Sequence, residues 1–142
     1  LLSQACDMEW FERQPPKSLD RYDFQGDFVK GLSLEDGAAT LTAFSAACVA
    51  RALEHLPEPP ALWLVCGGGR HNPFLMAELR RRLDADVRPC ESVRWQGDAL
   101  EAQAFAFMAV RHLEGLPFSF PGTTGVAEPV CGGRLAKAPS AL

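Results

Sequence analysis

Three consecutive glycines, Gly67-Gly68-Gly69, follow directly on the apolar run Leu62-Trp63-Leu64-Val65-Cys66 and stand just before Asn72-Pro73. A short apolar run bounded by glycine reads as a strand, and Asn-Pro reads as the N-cap and first turn of a helix. The chain must therefore pass from strand to helix through a turn that carries no side chains. Such a turn lets a flat or anionic ligand come close to the backbone. No Cβ blocks the approach, and the helix behind it offers free N–H groups and its positive dipole end. A tight turn alone would also select glycine, so both the ligand-binding and the purely structural reading stay open on local grounds.

The neighbouring segments place this turn in an α/β pattern. Residues 1–13 read as the end of a helix or an irregular lead-in, stopped by Pro15-Pro16. A polar loop over 17–31 carries Tyr22, Phe24 and Phe28. Ser33-Leu34-Glu35-Asp36 then resembles a capping box ahead of a long helix to about Leu56. Its expected inward positions are Ala39, Leu41, Phe44, Ala47, Cys48, Ala52 and Leu53. The strand over 61–66 and the glycine turn follow, then a helix over 73–83 and a second strand over 86–90. A last helix starts at Gly97-Asp98 and ends near Leu113. The tail over 117–142 is loop-rich, with at most one short strand. Helices alternating with strands indicate layered helices on a partly parallel sheet.

Charge and cysteine usage remove several classes of function. The formal charge of −4 over 142 residues leaves no basic stripe for a nucleic-acid partner. Arg80-Arg81-Arg82 is flanked by Glu78 and Asp84 and reads as a solvated helix face. Five scattered cysteines form no C-x-x-C pair, and His55, His71 and His112 lack ligand spacing. The expectation is free thiols, mostly in the core, and no metal site. No apolar stretch approaches a membrane span and no signal peptide is recognised, so a cytoplasmic protein is expected. The start at Leu1-Leu2, without Met and inside an apolar pattern, suggests a piece of something longer.

The last helix has a bare stripe of Ala99, Ala102, Ala106 and Ala109, suited to close packing of another backbone. Asp98 and Glu101 lie at its start. Asp98 is expected to be the N-cap with Glu101 as its box partner. The competing reading aims a first-turn carboxylate into a cleft.

Three segments together resemble the anhydro-N-acetylmuramic acid kinase family: Pro15-Pro16-Lys17-Ser18, the run from Val65 through Gly67-Gly68-Gly69-Arg70-His71-Asn72-Pro73 to Met76, and the run from Asp98 through Glu101-Ala102-Gln103-Ala104-Phe105 to Ala106. The tail from Thr124-Gly125 to Gly132-Gly133 is similar to that family's end. The resemblance covers nearly the whole chain and corresponds to the C-terminal half of the family. It implies a ribonuclease-H-like lobe of an actin-like, hexokinase-like ATPase. It also implies an ATP- and magnesium-dependent enzyme of murein recycling that phosphorylates anhydro-N-acetylmuramic acid as water opens the anhydro bridge, working as a homodimer. Gly67, Gly68, Gly69 and Asn72 match its adenosine-binding motif, and Glu101 matches a glutamate that helps hold the sugar. The Ala-striped helix resembles the element on which the two lobes move.

Two departures stand out. The family continues Lys-Ser with Thr-Gly-Arg, whereas Leu19-Asp20 precede Arg21 here. Neither phosphate loop, nor the catalytic aspartate that activates water, has a counterpart among these residues. The chain is therefore expected to be a single nucleotide-side lobe, with no catalytic residue of its own. Two other readings compete. In a dinucleotide-binding oxidoreductase, Gly67-x-Gly69-x-x-Asn72 would hold NAD and Glu91 its ribose, although asparagine stands where the third glycine belongs. The other is a non-catalytic interaction module built on a kinase lobe. A Walker-type kinase is excluded, since no G-x-x-x-x-G-K-[ST] occurs.

Overall fold

The computed structural model describes residues 6–24 and 26–137, so Leu1-Leu2 and the last five residues of the tail lie outside the described residues. The chain divides into two compact units, one of residues 6–15 with Leu19–Glu101, the other of Pro16–Ser18 with residues 102–137.

In the first unit the lead-in contributes α1 (Glu9–Glu12), whose Phe11 is buried beneath the Arg51 guanidinium. The polar loop winds into two 3-10 turns, Arg21–Asp23 and Gly26–Val29. Asp20 caps the first by accepting from the Tyr22 N–H at 3.1 Å. Phe24 and Phe28 both pack on Phe44. Phe44 belongs to α2 (Leu34–Arg51), which starts where expected, with the Ser33 hydroxyl accepting from the Asp36 N–H at 3.0 Å. A 3-10 turn, Ala52–His55, extends it to the expected end.

The βαβ unit follows. β1 (Leu62–Val65) and β2 (Asp86–Pro89) pair in parallel, with Trp63 opposite Val87, and α3 (Pro73–Leu83) makes the crossover. A two-stranded sheet is marginal alone, and helices cover one face of this one. Met76, Leu79 and Leu83 of α3 close over Val87 and meet Ala46 of α2, with Trp63 and Val65 packed alongside. Each of these large side chains contributes roughly 1.5–3 kcal/mol by burial. Strand alternation sends Leu62 and Leu64 to the other face, where Leu62 stays exposed. The Arg80–Arg82 run behaves as a helix face: Arg81 and Arg82 pair with Glu78, and Arg80 donates to the Val87 carbonyl.

Three side-chain expectations need correction. On α2 the expected inward positions hold at Phe44, which is buried, and at Ala47 and Cys48, with Leu53 just beyond it, all half-buried. Ala39, Leu41 and Ala52 are exposed, and Ala43 and Ala46 are buried instead. Cys90 is the only buried cysteine, with Cys66 and Cys131 exposed and Cys6 and Cys48 half-buried. Burial and the neighbouring Cys6 push the Cys48 thiol up to about 12. Finally, α4 (Leu100–Leu113) starts one residue later than capping by Asp98 would require.

In the second unit, the part of α4 after Glu101 leads into the tail. Arg111 donates to the Pro117 carbonyl at 2.7 Å, and His112 Nδ1 bonds the Gly132 carbonyl at 2.7 Å. Among its described residues the tail holds one antiparallel bridge, Ser119 with Val130, and the short α5 (Pro121–Thr124). A cavity of about 410 Å3 opens among Phe105, Met108, His112 and Phe118. Ala102, Ala106 and Ala109 are exposed, and Phe105, Phe107 and Leu113 are more than 60% exposed. Among the described residues of this unit, the alanine stripe is not buried by close packing.

Candidate nucleotide-binding turn

The glycine segment lies where β1 ends. Gly67 has φ +72°, a conformation that only glycine takes up freely, and Gly68–His71 make one 3-10 turn into α3. The Asn72 Oδ1 accepts from the N–H groups of Phe74 (3.0 Å) and Leu75 (3.2 Å), and Pro73 fills the first helical position. Both the cap and the proline therefore act as their residue types dictate. The three glycines differ in their surroundings. A Cβ at Gly69 would meet Leu75 at 3.1 Å, whereas one at Gly68 would meet nothing within 4 Å. Gly69 is thus small for packing, and Gly68 faces open space.

Arg70 holds the turn from beneath. Its side chain is 3% exposed. Nη1 donates to the Gly67 carbonyl at 2.7 Å and pairs with the Asp98 carboxylate at 2.8 Å, while Nε donates to Glu91 at 2.8 Å. The Gly67 N–H in turn reaches the Gly97 carbonyl at 3.4 Å, and the Gly97 N–H reaches Glu91 at 3.3 Å. A Cβ at Gly97 would lie 2.5 Å from Arg70 Nε and 2.8 Å from Cys90 Sγ. A buried guanidinium between two carboxylates stays charged, and both acids are held below their usual range. For Asp98 the hydrogen bond from Arg70 is the largest cause. For Glu91 its own backbone N–H comes first, followed, against some desolvation, by Arg70.

The structure therefore brings Gly67, Gly68, Gly69 and Asn72 into one turn, with Asp98 beside it. Asp98 does not cap α4, because its carboxylate is engaged by Arg70. Glu91, the acid that an NAD site would require for ribose, is likewise spent on Arg70 and Gly97, which counts against the dinucleotide reading. Glu101 sits in the first turn of α4, exposed, and its carboxylate has no partner among the described residues. Sequence reasoning missed Arg70. The available signal was an arginine inside a glycine turn, followed by acids at the end of the next strand and before the next helix. Among the described residues no group of three or more His, Cys, Asp or Glu could hold a metal ion, and no helix is long and apolar enough to cross a membrane.

Helices over a parallel strand pair, with an open glycine turn leading into an asparagine-capped helix, define an α/β protein whose candidate site is that turn. Comparison with known proteins narrows the class. The sequence profile of the anhydro-N-acetylmuramic acid kinase family matches residues 1–138. Proteins named anhydro-N-acetylmuramic acid kinase are similar over most of this chain. The one from Rhizorhabdus wittichii is 56% identical over 133 residues, 94% of this chain and 36% of that protein. The one from Paramagnetospirillum magneticum is 57% identical over 128 residues, 88% of this chain and 36% of its own length. The Rhodospirillum rubrum protein is 54% identical over 134 residues, with 94% and 36% covered. The chain belongs to the anhydro-N-acetylmuramic acid kinase family, and it spans little more than a third of the length of these relatives.

Proposed function

We propose that this chain is the C-terminal, nucleotide-side lobe of an ATP-dependent carbohydrate kinase. The full-length enzyme phosphorylates anhydro-N-acetylmuramic acid while water opens the anhydro bridge, a step in bacterial murein recycling and amino-sugar catabolism. The lobe is part of a ribonuclease-H-like, actin-like ATPase fold, with residues 117–142 as its loop-rich tail. The enzyme is cytoplasmic and homodimeric.

The observation that carries this reading is the open space over Gly68, at the end of a strand and ahead of a capped helix, in a chain of a kinase family. Gly67, Gly68 and Gly69 let the adenosine approach the backbone. Asn72 keeps its Oδ1 on the α3 cap, which leaves the Nδ2 group as a donor to the nucleotide. The unpartnered Glu101 carboxylate accepts from a sugar hydroxyl. Magnesium arrives with the ATP phosphates and neutralises their charge. The base that activates water belongs to the remainder of the enzyme, and this chain alone does not catalyse.

Two substitutions in the full-length enzyme test the reading. A Cβ at Gly68 meets nothing within 4 Å in this chain, so in a folded Gly68→Val variant a lost affinity reports on the ligand. ATP binding, followed by calorimetry, should weaken by about tenfold or more, ~1.4 kcal/mol. Unchanged ATP affinity in the folded variant would sink the proposal. Glu101→Gln should leave ATP affinity alone and reduce kcat/KM for the sugar by roughly 100-fold, as loss of a charged acceptor does. Full activity would return Glu101 to a bystander at the start of the helix.

A further inference from the structure

The proposed nucleotide turn and the proposed sugar glutamate lie on different elements, one after β1 and the other on α4. Arg70 is where they meet. Its guanidinium fixes the Gly67 carbonyl on one side and Asp98, three residues before Glu101, on the other. The Glu91 carboxylate closes the arrangement, taking Arg70 Nε and the Gly97 N–H on the same oxygen. Gly97 has no side chain where the guanidinium lies. The side-chain links to Gly67, Glu91 and Asp98 all run through one buried planar group, whose donors are fixed in direction, beside a single long backbone link from the Gly67 N–H to the Gly97 carbonyl. An arginine kept charged in the interior is costly unless all its partners are in place, so this unit exists either whole or broken.

We infer that Arg70 is a positioning residue that sets the glycine turn and the start of the Glu101 helix as one piece. This rests on the nucleotide and sugar roles proposed above, and it goes beyond them by coupling the two. Arg70 itself contacts neither ligand. Lysine at this position keeps the charge, but a single ammonium cannot serve Gly67, Glu91 and Asp98 in the same fork geometry.

The test uses the full-length enzyme with Arg70→Lys, and with Asp98→Asn as a milder break that leaves the arginine in place. Amide hydrogen exchange is read first, without ligand. Both variants should speed exchange in two separate segments, Gly68 to Asn72 and Leu100 to Gln103, while the α2 core stays protected. Faster exchange in only one segment, or in neither, overturns the inference. The functional arm is a double-mutant comparison. Arg70→Lys should lower sugar kcat/KM by about tenfold in the parent, but by no more than roughly twofold once Glu101→Gln is present, because the residue being positioned has already been disabled. Equal losses in both backgrounds would make Arg70 merely structural and overturn the inference. If Gly68→Val and Glu101→Gln are themselves silent, the functional reading is at fault, and the exchange result still decides whether the two segments are coupled.

Discussion

Among single residues, the charges around Arg70 determine how the protein responds to acid. Asp98 and Glu91 are both held below the usual carboxylate range, and so is Glu78, chiefly through its hydrogen bond with Arg81. The folded chain therefore binds protons less readily than the unfolded chain. The stability these groups contribute is present at neutral pH and is lost as pH falls through and below the ordinary carboxylate range of about 4. Melting temperature against pH should decline on the acid side, and Asp98→Asn should flatten that decline while lowering the neutral plateau. Because Asp98 is largely exposed, added salt should shrink the difference. An unchanged acid limb in Asp98→Asn would show that the Arg70 pair carries no linkage. At this scale the sequence was only half readable. The conformation of Gly67 follows from its residue type, and the cap at Asn72 from its neighbours. Asp98 looked like a helix cap because capping is a local rule. Its real partner is 28 positions back, and no local rule pairs residues across a crossover.

Elements were far more legible than their partners. The start of α2 and the ends of α3, β1 and β2 fall within a residue or two of where Ser33, Asn72-Pro73 and the glycines place them, since caps and breakers act over three or four residues. By contrast, α2 stops at Arg51, and only a 3-10 turn carries the chain on to His55 before Pro57. The inward face of α2 was read only in part, right at Phe44 and wrong at Ala39, Leu41 and Ala52, because periodicity gives a face while tertiary contact decides how much of its length is covered. The start of α3 offers a separable test of cap against ligand at one residue. Asn72→Asp keeps an acceptor for Phe74 and Leu75 and should leave stability within a few tenths of a kcal/mol, roughly, while removing the Nδ2 donor and weakening ATP binding. Asn72→Ala loses both, at about 1 kcal/mol of stability. Thermal melting and ATP titration of the same two variants separate the roles. Equal ATP affinity in wild type and Asn72→Asp would leave Asn72 as a cap alone.

At the level of the whole molecule, the apolar side chains outnumber the places to put them. Phe105, Phe107, Val110 and Leu113 lie on the surface of α4, and Leu62 faces outward from the sheet. Exposed apolar clusters of this kind associate. The isolated chain should self-associate at micromolar and higher concentration, and Phe107→Glu with Leu113→Glu should reduce it. Sedimentation velocity over a concentration series checks this, and a well-behaved monomer at the highest concentration would refute it. The sequence showed that α4 was apolar. It could not show that the face stays bare, because burial depends on what packs against a helix rather than on the helix itself.

The close fit of Gly97 against the Arg70 guanidinium also has a consequence for how such chains diverge. While arginine occupies position 70, any side chain at 97 collides with a buried, triply bonded group that has nowhere to move, so selection removes it. Once a lineage loses the arginine, position 97 is released to drift. The two positions should therefore change together across descendants, a correlated pair of columns in an alignment. Their covariation would arise from shared space beneath a turn rather than from contact with any substrate.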